Sequence, residues 1–248
     1  MQVGFKTDKG KTRFNNEDAC FVMLHDKVFV IADGVGGGNS GELASRTAVS
    51  EAANYILDHP IDECKDEKEL KAYLQNCVND INRKVYQKSK AHVENEGMAT
   101  TFVMAYMRNG NLYIINVGDS RAYIHRDKSL VQITEDHTYV NSLIKAGLLS
   151  EEAAKTHEKK NMITRAIGVE EDIEADFFKL GMEVGDIILI CTDGLHGELS
   201  ENIISKVLDE NLSMSETCGK LISLANQSGG SDNITVISLK VTEEDIYE

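Results

Sequence analysis

Proline is almost missing from this chain. One occurs in 248 residues, Pro60, so no proline-rich linker divides the sequence. No run approaches the roughly 20 apolar residues that cross a bilayer. The opening MQVGFKTDKGK lacks the apolar core of a secretory leader. A cytoplasmic protein without a membrane partner is expected. Basic residues are scarce: 26 Lys and Arg stand against 41 Asp and Glu, a formal net charge of -15. That argues against nucleic acid, whose binding needs basic patches. It would also repel a phosphorylated substrate unless cations reverse the sign locally. The five cysteines are an odd number with no C-x-x-C pair, which excludes a disulfide framework or a zinc knuckle. The seven histidines form no H-E-x-x-H.

What remains is an ordinary globular composition, 42% hydrophobic and 27% charged. There is enough chain for one large domain, and without repeats or linkers a single domain over 1–248 is the economical reading. Apolar strand-like runs cover 3–7, 19–24 and 28–32. Helical periodicity then takes over at about 41–58 and 67–91. Strands return at 99–107, 112–117, 121–125 and 130–134, with hairpin turns at RNGN (108–111) and RDKS (126–129). Residues 135–165 are polar, with one short helix near 150–156, and 138–161 is expected to be a mobile flap. Strands at 173–180 and 187–192, helices at 201–210 and 215–227 and a strand at 234–241 complete the chain. Sequential strands with short turns imply antiparallel sheets with helices packed outside, an α+β fold.

The stretch FVIADGVGGGNSGELAS (29–45) carries the densest signal. Gly36, Gly38 and Gly41 spell G-x-G-x-x-G, but the expected second strand does not follow, and Asp33 would repel a pyrophosphate. A P-loop fails because Glu42 and Leu43 stand where Lys and Ser or Thr are needed. Cys77 and Arg83 match C-x5-R, yet Cys77 falls on an apolar helix face with Leu70, Leu74, Ile81 and Val85.

Aspartates at strand ends are the recurring feature. Asp33, Asp119 and Asp193 each close an apolar run, and Asp232 precedes one. If these ends converge, the carboxylates cannot all stay ionised without a compensating cation. An all-oxygen donor set favours Mg²⁺ or Mn²⁺. Such cations commonly serve phosphoryl chemistry, often in pairs. Arg13, just ahead of Glu17 and Asp18, offers a fork suited to phosphate oxygens.

Read in order, R-x-x-N-E-D (13–18), A-D-G-V-G-G-G (32–38), G-M-A-T-T (97–101), N-V-G-D-S-R-A (116–122), D-H-T (136–138), I-T-R-A-I-G (163–168), C-T-D-G-L (191–195) and G-S-D-N-I-T (230–235) span nearly the whole chain. This set resembles the protein phosphatase 2C family of metal-dependent Ser/Thr phosphatases, in its compact bacterial form. The resemblance implies a four-layer α-β-β-α sandwich of two antiparallel sheets flanked by helix pairs. It places the bridging metal ligand on Asp33, a backbone-carbonyl ligand on Gly34, and further ligands on Asp193 and Asp232. Glu17 and Asp18 match acids that bind metal or its waters, Arg13 the phosphate-binding arginine, and Asp119 an acid that shares a third ion with Asp193. That third site is expected to be weak, open to solvent and ligated mostly by waters. Val35 stands where animal members carry a histidine proposed as general acid, so a metal-held water is expected to protonate the leaving group. The implied reaction is hydrolysis of phosphoserine and phosphothreonine by a hydroxide bridging two Mn²⁺ or Mg²⁺ ions. A monomer is expected, with phosphorylated proteins as substrates and a Ser/Thr protein kinase as functional partner. A catalytically decayed binding module and a small-molecule phosphatase are the alternatives.

Overall fold

The computed structural model describes residues 1–37 and 40–247; Gly38 of the glycine-rich motif lies outside them. One sheet has the order β1-β11-β10-β7-β8, built from Gln2–Asp8 (β1), Arg121–Arg126 (β7), Ser129–Gln132 (β8), Ile187–Cys191 (β10) and Ile234–Lys240 (β11). The other has the order β2-β3-β5-β6-β9. Its strands are Asp18–Met23 (β2), Val28–Val35 (β3), Phe102–Arg108 (β5), Asn111–Val117 (β6) and Asp176–Gly181 (β9), with the short Ala99–Thr100 (β4) on β3. All of these pairings are antiparallel.

Alternation along the central strands builds the layers. In β3, Val28, Val30 and Ala32 meet Ala44, Ala48 and Ala52 of α1 (Ser40–Asp58) and Leu74, Cys77 and Ile81 of α2 (Glu67–Ala91). The intervening Phe29 and Ile31 face the other sheet, where Ile188, Ile190, Ile237 and Leu239 receive them. In β10 the same period sends Leu189 and Cys191 outward against Ile204 of α6 (Glu201–Leu208) and Leu221 of α7 (Met214–Ser228). Both faces of each central strand are therefore covered, which is why these strands read as continuous apolar runs rather than alternating ones. The result is a four-layer α-β-β-α sandwich.

Several boundaries moved. The expected strand at 99–107 breaks at Thr101, whose amide donates to the Asp33 carbonyl at 2.9 Å. The expected strand at 130–134 is displaced to Ser129–Gln132, and the one at 173–180 starts only at Asp176. Between them lie two short helices, α3 (Tyr139–Lys145) and α4 (Glu151–Ala154), and only the second was expected. The start of α3 is signalled by Thr138, whose side chain accepts from the Asn141 amide at 3.3 Å. Two further helices were not read from the sequence, α5 (Asp193–His196) and α8 (Glu243–Tyr247).

Candidate metal and active site

The sandwich brings the acid-bearing strand ends to one edge. Asp18 opens β2 and pairs in register with Asp33 near the end of β3. Asp193 follows β10, Asp232 precedes β11, and Asp119 lies in the turn from β6 to β7. The electrostatics show their convergence. Burial pushes the Asp33 carboxyl well above the usual carboxylate range, and the charges of Asp18, Asp193, Asp119 and Asp232 push it further. Asp18 is raised to about 7 by burial, opposed by hydroxyl donors from Thr235 and Thr192 and reinforced by Asp193 and Asp232. Burial and then Asp193 raise Asp119 to about 7. Burial and then the charge of Asp232 raise Asp193 to about 6, partly offset by Asp33 and Arg13.

Such a cluster is strained by its own charge. Among the described residues no three acid, histidine or cysteine side chains are already drawn together tightly enough to grip an ion. The donor set nevertheless fits hard cations. One carboxylate oxygen each of Asp18, Asp119 and Asp193 is buried without any hydrogen-bond partner. Buried orphan acceptors are rare in folded proteins and call for a compensating group. All of these donors are oxygens, which suits Mn²⁺ or Mg²⁺.

Arg13 touches the cluster directly. Its Nη2 donates to Asp232 Oδ2 at 2.6 Å, and its side chain remains about half exposed. Burial works against its charge, but Asp232, Glu17 and Asp33 outweigh that and hold it firmly protonated. Glu17 lies beside Gly34 and Gly41, with a Cβ on Gly41 falling 2.6 Å from its Oε2, and its charge reaches Arg13. Its Oε1 accepts from Asn15 at 3.2 Å, and its carbonyl accepts from the Gly34 amide at 3.1 Å and from the Ser45 hydroxyl.

Gly34 is required for packing. A Cβ there would lie 2.1 Å from the Gly41 carbonyl oxygen and 2.6 Å from that of Glu17. The absence of a side chain thus lets the start of α1 close over β3, a tighter demand than open access to its carbonyl. Asp119 departs from expectation as well. Its carboxylate is not open to solvent: the residue is 6% exposed.

Several supporting residues were not singled out from the sequence. Thr192 and Thr235 are fully buried, and both donate to Asp18 Oδ2, at 2.9 and 2.7 Å. Thr101 Oγ1 accepts from the Asp33 amide at 2.9 Å. Asn233 Oδ1 accepts from the Glu17 amide at 2.8 Å, while its Nδ2 donates to the Lys9 and Asn15 carbonyls at 2.9 Å. Each lies within a motif already quoted: Thr192 and Asn233 next to candidate acids, Thr235 at the end of G-S-D-N-I-T, Thr101 in the A-T-T run. Membership of those motifs was the available signal.

The description of the protein phosphatase 2C family matches residues 10–228. The chain belongs to the protein phosphatase 2C family. Among its relatives, the serine/threonine phosphatase stp of Listeria monocytogenes serotype 4b (strain F2365) is 35% identical over 240 residues, 96% of this chain and 94% of that protein. The S. agalactiae serine/threonine phosphatase superposes with a TM-score of 0.90 at 33% identity, covering 97% of this chain and 99% of that one. The catalytic domain of the serine/threonine protein phosphatase PstP in complex with 2 manganese ions superposes with a TM-score of 0.85 at 31% identity over 98% of each chain. The resemblance drawn from the motifs is borne out, and so is the sandwich. This 2C-type chain is a metal-dependent serine/threonine phosphatase acting on phosphoproteins, and nothing supports a decayed binding module or a small-molecule phosphatase in its place.

Proposed function

We propose that the aspartate edge is the catalytic centre, that Asp33, Asp193, Asp232 and the Gly34 carbonyl hold two divalent ions there, and that Asp119 with Asp193 holds a weaker third. The observation that carries this is the convergence of five aspartates from separate segments, three of them with a buried oxygen lacking any partner. The manganese-bound PstP neighbour supports Mn²⁺ as one occupant. Bound ions would neutralise the carboxylates, lower the pKa of water and polarise the phosphoryl group.

The chain's own residues supply the rest. Arg13 presents its guanidinium at the exposed rim, where it can take phosphate oxygens in place of its present contact with Asp232. Asp18 sits behind the edge, its Oδ2 fixed by the two threonine hydroxyls and its Oδ1 left free to accept from a water. Glu17 orders the loop between Arg13 and β2. Hydrolysis adds water to phosphorus, breaks the phosphorus–oxygen ester bond and returns a serine or threonine hydroxyl with inorganic phosphate. No protein nucleophile is required, and the five cysteines are free thiols, four of them buried. Val35, at the end of β3, carries no proton to give. The leaving hydroxyl therefore takes its proton from water in the site.

The whole chain acts as one catalytic domain, a cytoplasmic monomer opposing a Ser/Thr protein kinase. The absence, among the described residues, of any helix long and apolar enough to cross a membrane accords with that setting. The segment 138–161 serves as a substrate-selecting flap, tethered at its base by the Thr138–Ile163 bridge.

Equilibrium binding of Mn²⁺ tests the ligand assignment. Asp33→Asn, Asp193→Asn and Asp232→Asn should each weaken ion binding and reduce phosphopeptide hydrolysis by orders of magnitude. Wild-type ion affinity in all three variants would overturn the ligand set.

A further inference from the structure

Asp119 is aimed by its backbone, because its Oδ1 has no protein partner. The turn that carries it is held from several sides. The Gly118 amide donates to His137 Nδ1 at 3.0 Å, and the His137 amide returns a bond to the Gly118 carbonyl at 3.0 Å. The Asp119 carbonyl meets His196 Nε2 at 3.0 Å. Ser120 Oγ meets Thr101 Oγ1 at 2.7 Å, and that same Thr101 oxygen accepts from the Asp33 amide. Gly118 itself has a φ of +105°, and a Cβ there would lie 2.6 Å from Thr101 Cγ2. The turn is thus pressed against the strand break beside Asp33, in a conformation that L side chains avoid.

We infer that His137 is a positioning residue for the phosphatase reaction: its neutral imidazole holds the Gly118 amide and thereby points the Asp119 carboxylate toward the other aspartates. This rests on the placement of Asp119 in the site. The chemistry of the contacts assigns the imidazole one tautomer. A backbone N–H can only donate, so Nδ1 is the bare nitrogen and Nε2 carries the hydrogen. Asp176 Oδ2, at 3.2 Å, is the acceptor for that hydrogen. Arg165 holds the same carboxylate through Oδ1 at 2.7 Å, and its Nη1 also lies 3.0 Å from His137 Nε2. A cation that close disfavours a second proton on the ring, and burial disfavours it as well. The chain Arg165–Asp176–His137–Gly118 therefore fixes a buried hydrogen-bond acceptor behind the Asp119 turn, on a ring 8% exposed. Groups placed this way behind a metal ligand typically influence affinity or activity by about 10- to 100-fold.

Three variants at His137 test the inference, each alone and combined with Asp119→Ala. His137→Asn keeps an acceptor where Nδ1 lies and should retain most activity. His137→Leu removes it and should lower kcat/KM on a phosphopeptide about 10-fold. Should His137→Leu fail to fold, His137→Gln, whose amide reaches toward Asp176 and leaves the Gly118 N–H bare, should show the same loss. In the ion-free protein, hydrogen exchange at the Gly118 amide should quicken in His137→Leu or His137→Gln and stay slow in His137→Asn. Where Asp119 is already alanine, the His137 substitutions should change activity no further, because their effect passes through that carboxylate. If Asp119→Ala alone keeps wild-type activity, the assignment of Asp119 is wrong and His137 has nothing to position. If Asp119→Ala is impaired but the His137 losses multiply upon it, or His137→Asn is as poor as His137→Leu, the inference about His137 is wrong and the Asp119 assignment stands.

Discussion

Without its ions, the phosphatase should lose stability as the pH rises from about 6.5 to about 8. The raised carboxyls are the cause. Each binds its proton more tightly in the folded chain than in the unfolded one, so the stability it contributes is complete at low pH and is lost as the pH climbs to its folded value. Asp33 is well above the usual range, and Asp18 and Asp119 stand at about 7. The histidines act in the opposite sense. His196 is lowered to about 3 from 6.5 and His137 is lowered as well, so both cost stability as the pH falls below 6.5. Asp176, Asp245 and Glu216 are lowered carboxyls that titrate below this window. Between about pH 6.5 and 8 the raised aspartates dominate, because the histidines have by then little left to add, roughly 0.4 kcal/mol each in the opposite sense. Asp18 and Asp119, at about 7, release their protons inside that span, so each forfeits on the order of 1 kcal/mol there, at ~1.4 kcal/mol per pH unit. Asp33, held well above the usual carboxylate range, adds in the same direction. A loss of about 1–2 kcal/mol is a sizeable part of the ~5–15 kcal/mol typical of a domain. Urea unfolding of chelator-stripped protein at the two pH values should read it directly. With Mn²⁺ in excess the slope should reverse, since ion binding requires the deprotonated carboxylates. Ion-free stability that is flat or rising across this window would refute the convergence of the aspartates.

Other substitutions probe single contacts. Arg13→Ala should raise KM for phosphopeptides with Mn²⁺ affinity nearly unchanged, and an unaltered kcat/KM would remove Arg13 from the phosphate site. Gly34→Ala forces a Cβ to 2.1 Å from the Gly41 carbonyl oxygen, so thermal unfolding should show a loss of more than about 2 kcal/mol; a stable variant would mean that α1 shifts freely. Thr235→Val takes one of two hydroxyl donors from the buried Asp18 Oδ2 and should cost about 1–3 kcal/mol, and no change by urea unfolding would count against that bond. Replacing 138–161 by a short Gly-Ser linker should change preference among phosphopeptides while p-nitrophenyl phosphate turnover stays close to wild type. An equal loss on every substrate would make the segment scaffold instead.

The layers and the chemical type of the site are legible in the order of the residues alone. Doubly covered strands must be apolar on both faces, so runs such as Val28–Ala32 and Ile187–Cys191 announce themselves locally, as do helices with one apolar face. Aspartates interrupting such runs stand out for the same reason, and the order of the motifs named the family. Short helices such as α3 and α5 were missed because one or two turns carry too little periodicity to register. What each carboxylate meets follows from the packing of distant segments. Asp18 is gripped by threonines 174 and 217 residues away, Asp119 is buried rather than open, and Gly34 is dictated by the backbone of Gly41. Periodicity encodes which face of an element is buried. Distances between elements far apart in the chain are set by strand register and by how closely the layers pack, and no local pattern records them.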